Sequence, residues 1–224
     1  MSTNHAATFV VFHGVYGHHR ENWFPYIKEC LEDDGHNVFV PDLPMPPAQS
    51  LNSWSAIAAG IITNLNPADT ILIGHSTGTI LAMYMAECTL TPFKAIFLVC
   101  PFIRPLKQPP GQPDFIGPLE TFVTHKFNWS LVRNGADAYF CYAGGKDPYV
   151  EEEFSQEVAR KLGCSLKIIR NAGHINEASG FLKFPLLYRD MRKICGEVKR
   201  EDRLFDTPSA PLDEYPENQF PAHP

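Results

Sequence analysis

A serine, an aspartate and a histidine in this sequence have the types and the order of groups that together transfer acyl groups. Ser76 is the central residue of G-H-S-T-G at 74–78, Asp147 ends A-G-G-K-D, and His174 ends N-A-G-H. A hydroxyl is a weak nucleophile near neutral pH, so it needs a histidine base within hydrogen-bond reach, and that base needs an acid to orient it. The three residues are predicted to act as nucleophile, orienting acid and base.

The surroundings of Ser76 are typical of a nucleophile on a sharp turn. The apolar run T-I-L-I-G at 70–74 predicts a buried strand, and the residues after Ser76, up to about Cys88, predict a helix. Such a strand-to-helix turn is strained, and Gly74 and Gly78 remove the side chains that would collide across it. The alternative is a small packing serine where a strand becomes a helix.

Asp147 and His174 each follow a predicted strand. The strands are D-A-Y-F-C-Y-A-G-G at 137–145 and S-L-K-I-I-R-N-A-G at 165–173. The carboxyl ends of parallel strands share one edge of a sheet, which is where ligands bind in open α/β folds. All three candidates are therefore expected at the same edge, in the order serine, acid, histidine.

Other acids and histidines fit these roles less well. Asp137 begins its strand and so falls at the wrong edge, while Asp114 lies in an irregular stretch and would have to fold back. His75 adjoins the nucleophile but points elsewhere on a sharp turn, and His125 lies outside the pattern. Glu177 could tune the imidazole of the base, or it could be a surface acid.

An oxyanion formed during acyl transfer needs hydrogen-bond donors. The backbone N–H of Thr77, directly after the nucleophile, is the first candidate. The second is expected from the loop H-G-V-Y-G after the first strand, with Val15 preferred and Tyr16 as the alternative.

Strand and helix patterns alternate along the chain, which favours an α/β fold with a mostly parallel six-stranded sheet and helices on both faces. One domain is expected over 1–202. The strands are predicted at 7–14, 37–44, 70–74, 93–102, 137–145 and 165–173, and the main helices at 21–36, 51–65, 77–88, 150–162 and 185–199.

Two proline-rich stretches interrupt the alternation. Residues 101–136 are predicted to be a small lid-like insertion with one short helix near 119–125, and 203–224 to be a flexible acidic tail that could bind a protein partner. The insertion and its border carry aromatic residues that could line an acyl pocket or pack in the core: Phe102, Phe115, Phe127 and Trp129.

Composition excludes several classes of function. The chain of 224 residues has a net charge of −6, so nucleic-acid binding is not expected. Its apolar runs are too short for a membrane span, and it begins without a signal-peptide pattern. Six cysteines without a C-x-x-C pair indicate reduced thiols and a cytoplasmic location. His13, His18 and His19 lack further ligands at usable spacing, so neither a metal nor a cofactor is expected.

Three segments also carry a family resemblance. The segment 13–44, with its N-W-F-P, the G-H-S-T-G, and the G-H-I-N-E-A-S-G at 173–180 are together similar to the small serine hydrolases grouped with retinoblastoma-binding protein nine, within the α/β-hydrolase superfamily. The resemblance spans roughly 8–196. It implies a six-stranded α/β-hydrolase fold with a minimal lid and a catalytic triad of Ser76, Asp147 and His174.

The predicted function is hydrolysis of a small carboxylic ester through an acyl-enzyme, because a large cap does not fit between the fourth and fifth strands. The same triad could instead serve amide hydrolysis, acyl transfer or lyase chemistry. A protein that keeps the fold but only binds a partner is the alternative from another class.

Overall fold

Six parallel strands form the centre of the molecule, in the order β2-β1-β3-β4-β5-β6. The computed structural model describes residues 6–108, 114 and 116–196. The predicted sheet is confirmed, although several strands are shorter than their apolar runs. The strands are β1 Thr8–Phe12, β2 Asn37–Phe39, β3 Thr70–His75, β4 Ala95–Val99, β5 Tyr139–Gly144 and β6 Leu166–Ile169.

Helices cover both faces of this sheet, as predicted. Helices α1 and α7 pack on one face, and α2 to α6 pack on the other. The side chains of each strand alternate between the two cores, so Val10 and Phe12 face one layer while Phe9 and Val11 face the other. The helices are α1 Phe24–Asp33, α2 Leu51–Ile62, α3 Thr77–Cys88, α4 Ile116–Val123, α5 Trp129–Asn134, α6 Glu152–Leu162 and α7 Pro185–Ile194.

Local sequence explains several helix boundaries. The Ser50 side chain accepts a hydrogen bond from the Ser53 N–H at the start of α2, and Ser53 bonds back to the Ser50 N–H. Prolines occupy the first turns of α1 and α7, where a missing N–H is harmless. Gly163, at φ 76°, ends α6 in the left-handed conformation that glycine tolerates.

The described residues of the segment 101–136 contain two helices where the sequence predicted one. Helix α4 begins three residues before the predicted 119–125, and α5 was not predicted. The segment is anchored where it returns to the sheet, since Phe93 N–H donates to Gly135 O and Asp137 N–H donates to Phe93 O, both at 2.9 Å. At the other end of β4, Cys100 N–H donates to Tyr142 O at 2.8 Å. Residues that flank β4 therefore hold both ends of the excursion.

Two expectations concern parts of the chain outside the described residues. The tail at 203–224 and Phe115 are not among them, so tail flexibility and any contribution of Phe115 to a pocket stay predictions. Among the helices that the structure describes, none combines the length and hydropathy that crossing a membrane requires.

Candidate active site

Ser76 lies on the sharp turn between β3 and α3. Its backbone has φ 53° and ψ −122°, a conformation that residues other than glycine rarely adopt. Two hydrogen bonds hold it there: Ser76 N–H donates to Val99 O at 2.9 Å, and Thr79 N–H donates to Ser76 O at 3.0 Å. The structure thus places Ser76 at the sheet edge where the sequence predicted it, in a strained turn typical of nucleophiles in α/β folds.

Two glycines make this turn possible. A Cβ atom on Gly78 would lie 2.2 Å from Phe12 O, and one on Gly74 would lie 2.5 Å from Gly78 O. Both distances are far below van der Waals contact with backbone atoms that cannot move aside. The spacing G-x-S-x-G therefore reflects the close approach of β1, β3 and α3 around the serine.

His174 and Asp147 are hydrogen-bonded to each other. His174 Nδ1 lies 2.7 Å from Asp147 Oδ2, and both side chains are almost completely buried. The other carboxylate oxygen of Asp147, Oδ1, accepts the N–H groups of Tyr149 at 2.8 Å and Val150 at 3.0 Å. The loop after β5 thus fixes the carboxylate, and the carboxylate fixes the imidazole.

The charge on Asp147 follows from these contacts. Burial acts to raise the pKa of Asp147, but the hydrogen bond and charge of His174, with the two backbone N–H groups, outweigh it and leave the pKa below its ordinary value. An ionised carboxylate only accepts hydrogen bonds, so Nδ1 of His174 carries the proton. Nε2 is then left with a free electron pair, which is the form a general base requires.

The loop that carries His174 is held by side chains from two of the sequence motifs noted above. Within the loop, His174 N–H donates to Ser179 Oγ at 3.2 Å, and Ser179 Oγ donates to Asn176 Oδ1 at 2.9 Å. From the N-W-F-P segment, Trp23 Nε1 donates to Ile175 O at 3.0 Å, and Asn22 Oδ1 accepts from Glu177 N–H at 2.8 Å. The N-W-F-P segment and the G-H-I-N-E-A-S-G segment therefore contact each other directly.

Ser76, His174, Val15 and Thr77 line one cavity of about 460 Å³. That volume lies within the range of small-molecule sites. Both residues named as oxyanion donors thus lie beside the nucleophile, and the alternative, Tyr16, also lines the cavity. The remaining lining residues are Gly14, Glu21, Asn22, His75, Leu106, Leu119, Tyr149 and Asn176.

Glu21 is a titratable group of this cavity that the sequence did not single out. Burial raises the pKa of Glu21 to about 7, and the neighbouring Glu177 carboxylate acts in the same direction. Glu21 lies on the loop that joins β1 to α1, and nothing in its local pattern distinguishes it from a surface acid. Only the folded arrangement brings it to the cavity.

The less favoured candidates from the sequence take other positions. His125 Nε2 lies 2.6 Å from Glu87 Oε2 on α3, and Asp137 is exposed at the start of β5. Asp114 does approach the oxyanion loop, but through its backbone, because Tyr16 Oη donates to Asp114 O at 2.8 Å. Phe102 is buried in the core, and Phe127 and Trp129 pack against that core.

Cys100 is a further neighbour of the acid and base. Its Sγ and one ligand atom each of Asp147 and His174 lie within 4.8 Å of one another. This donor set does not suit a metal ion, because Asp147 and His174 already bond each other and burial raises the pKa of the Cys100 thiol well above its ordinary value. None of the six cysteines forms a disulfide, and the Sγ atoms of Cys141 and Cys164 are 3.5 Å apart.

Comparison with known proteins agrees with this geometry. The family model described as serine hydrolase matches residues 9–193. The YdeN protein of Bacillus subtilis is 24% identical over 180 residues, which are 80% of this chain and 90% of that protein. The crystal structure of YdeN superposes with a TM-score of 0.75 at 22% identity, covering 85% of this chain and all of that one.

Two further solved structures share the fold. Est1E from Butyrivibrio proteoclasticus, solved with ferulic acid bound, has a TM-score of 0.62 at 16% identity and covers 85% of this chain and 92% of its own. A carboxylesterase structure from Nitrososphaera gargenis has a TM-score of 0.66 at 14% identity, covering 88% and 94%. These likenesses confirm the α/β-hydrolase fold.

Proposed function

This chain belongs to the serine hydrolase family, a group of small α/β-hydrolases, and on that premise we propose that it hydrolyses small carboxylic esters through an acyl-enzyme on Ser76. One observation carries the proposal: the buried hydrogen bond between Asp147 and His174, whose imidazole lines the same cavity as Ser76. A nucleophile, a base with a free Nε2 and a buried acid are the groups that acyl transfer needs.

In the first step His174 Nε2 takes the proton of Ser76 as its Oγ attacks the ester carbonyl carbon. The imidazole becomes positively charged, and the Asp147 carboxylate, 2.7 Å from Nδ1, stabilises that charge. The carbonyl oxygen becomes an oxyanion, which the backbone N–H groups of Thr77 and Val15 stabilise. Collapse of this intermediate expels the alcohol, which receives the proton from His174.

The second step returns the enzyme to its starting state. A water molecule takes the place of the alcohol, and His174 Nε2 removes its proton as it attacks the acyl carbon. The acid product leaves, and Ser76 regains its proton. Every group in this cycle is a residue of the chain, so the proposal needs neither a metal nor a cofactor.

The cavity supports a small substrate with one apolar part. Leu106, Leu119 and Tyr149 supply apolar surface, while Asn22 and Asn176 supply polar groups. A volume of about 460 Å³ accommodates a short ester and not a long polymer. The fold likeness to a carboxylesterase supports the same substrate class, and amide hydrolysis, acyl transfer and lyase chemistry on the same groups are separated from it by product analysis.

The test is covalent labelling with a fluorophosphonate, combined with turnover of a 4-nitrophenyl ester. We expect one adduct, on the peptide that contains Ser76, and neither adduct nor turnover in Ser76→Ala. His174→Ala should slow labelling by at least ~10³-fold, because the hydroxyl loses its base. Ser55→Ala, on the outer part of α2, is the matched control and should label normally.

An adduct on another serine, or ester turnover that survives in folded Ser76→Ala, would refute the proposal. The cytoplasmic location and a partner for the tail at 203–224 are proposals of a separate kind. The first depends on the six cysteines, none of which forms a disulfide, and the second concerns residues outside those described.

A further inference from the structure

His75 is a buried histidine whose ring packs against that of the proposed base. Its Nε2 lies 2.9 Å from the backbone oxygen of His174, and the two imidazole centroids are 5.0 Å apart. A carbonyl oxygen only accepts hydrogen bonds, so Nε2 of His75 carries the proton and donates it. In the described part of the chain, the Nδ1 atom of His75 has no hydrogen-bond partner. The tautomer of His75 is thereby assigned.

The backbone that receives this hydrogen bond is strained. Gly173 has φ 53° and Ile175 has φ 48°, so the loop enters the left-handed region on both sides of His174. For a β-branched residue such as Ile175 this conformation is a true outlier, and it persists only where surrounding contacts enforce it. The loop therefore depends on donors from other elements.

Two side chains supply donors to successive carbonyl groups of this loop. His75 donates to His174 O, and Trp23 donates to Ile175 O at 3.0 Å. The same Trp23 ring packs edge-on against His75, with centroids 6.0 Å apart, and the neighbouring Phe24 ring also packs against His75 at 6.1 Å. These aromatic contacts leave the His75 ring little freedom, so its donor stays aimed at the loop.

His75 is also an uncharged support. Burial, followed by the nearby His174 imidazole, lowers the pKa of His75 to about 3, against the smaller opposing effects of the hydrogen bond to His174 O and of the Asp147 charge. The titratable groups that face the ring are His174, Asp147 and His13. When the proposed mechanism places a positive charge on the base, the ring 5.0 Å away adds no second positive charge.

We propose that His75 is a positioning residue, which holds the His174 imidazole between Ser76 and Asp147 by donating Nε2–H to the main-chain oxygen of the base itself. This inference rests on the proposed function and adds a residue to it. The second position of G-x-S-x-G then has a role of its own in this chain, since its side chain reaches the loop that carries the base.

The experiment compares three substitutions of His75 that differ in side-chain length and in whether they carry an N–H donor. In His75→Gln the side-chain amide can place an N–H near the position of Nε2, whereas in His75→Asn the amide is too short, and His75→Phe keeps a ring without a donor. We expect His75→Gln to retain the fluorophosphonate labelling rate and kcat within about threefold. His75→Asn and His75→Phe should each lose about 10- to 100-fold in the labelling rate and in kcat, with KM nearly unchanged. His125→Gln, at a histidine paired with Glu87, is the control.

A second measurement does not depend on turnover. In the wild-type protein the Cε1 carbon resonance of His75 should stay flat between pH 5 and 9, because a neutral ring has no proton to gain there. Titration of that resonance between pH 5 and 8 would overturn the inference, as would Asn and Phe variants that label as fast as wild type. The inference would also be overturned if His75→Gln and His75→Asn were both folded and lost labelling to the same extent.

The two proposals fail in different ways. A wild-type protein that does not label at Ser76 removes the proposed function and the positioning role together, even if the His75 resonance is flat. A wild-type protein that labels normally, with variants that label equally well, removes the positioning role alone.

Discussion

The two walls of the cavity are built by different means. The wall that holds Ser76, His75 and His174 comes from the end of β3 and from the loops that follow β3 and β6, where backbone and buried side-chain hydrogen bonds fix strained conformations. The opposite wall takes Leu106 and Leu119 from the segment 101–136. Under the proposed function, the first wall determines which bond is attacked, and the second determines what fits beside it.

The two parts of the second wall are held to different degrees. Helix α4 is tied to the start of α2, because Gln49 Nε2 donates to Pro118 O at 3.1 Å and Leu51 N–H donates to Thr121 Oγ1 at 3.0 Å. The stretch around Leu106 is flanked by ion pairs of Arg104 and Lys107, whose side chains are 59% and 89% exposed. Exposed pairs of this kind contribute little stability. Leu106 is therefore the part of the wall that we expect to adapt most readily.

The largest expected effect comes from breaking the first wall at the acid. Asp147→Asn should lower kcat by ~10²- to 10⁴-fold, because a neutral amide no longer holds the required tautomer of His174 or stabilises its positive charge. Stopped ester assays on protein of normal thermal stability would measure this. The control is Asp137→Asn at the exposed start of β5, and turnover of Asp147→Asn within threefold of wild type would contradict the assignment of the acid.

A change in the second wall should alter selectivity and leave the chemistry intact. Leu106→Ala enlarges the apolar side of the cavity, so the kcat/KM ratio of a 4-nitrophenyl octanoate to the acetate should rise by about 10-fold. Labelling of Ser76 by a small fluorophosphonate should change by less than threefold. Leu131→Ala, at an exposed leucine of α5, serves as the control; a constant ratio in Leu106→Ala would show that this wall does not select the acyl group.

The smallest expected effect is on stability, and it comes from Glu21 on the polar side of the cavity. Its folded-state pKa of about 7 lies above the ordinary 4.5, so the folded protein binds more protons than the unfolded chain between these values and stability falls as pH rises through them. Glu21→Gln should thus be more stable than wild type at pH 8, by about 1 kcal/mol because solvent screens this half-buried group, and equal to it near pH 4.5. Urea unfolding at both pH values measures this, with exposed Glu29→Gln as control.

The first wall was largely predictable from sequence. The positions of Ser76, Asp147 and His174 depend on short patterns in which an apolar strand is followed by a glycine turn, and all three came together at one sheet edge. Their catalytic roles remain for the labelling experiment. The reason for this success is that strand ends in a parallel sheet fix the position of the next few residues almost independently of the rest of the chain.

Residues whose position depends on distant contacts were not predictable. His75 was expected only to point elsewhere than the nucleophile, and its hydrogen bond to a residue 99 positions later has no local signature. Glu21 reaches the cavity only through the path of the loop before α1. Helix α5 did carry a signal, since Asn128 accepts from the N–H groups of Ser130 and Leu131 as an N-cap, but six residues give too short an apolar pattern.

The attachment of the segment 101–136 has a consequence for how such proteins diverge. Because Phe93 binds the returning chain at Gly135 and Asp137, and Cys100 binds Tyr142, the residues that flank β4 hold both ends of the excursion in place. Changes in its length that spare the core residues Phe102, Leu119 and Phe122 can therefore accumulate without shifting the register of β4 against β5. Sequence variation in this segment, in evolution or in a designed library, can therefore change the substrate range. The proposed catalytic residues, which lie outside it, need not change.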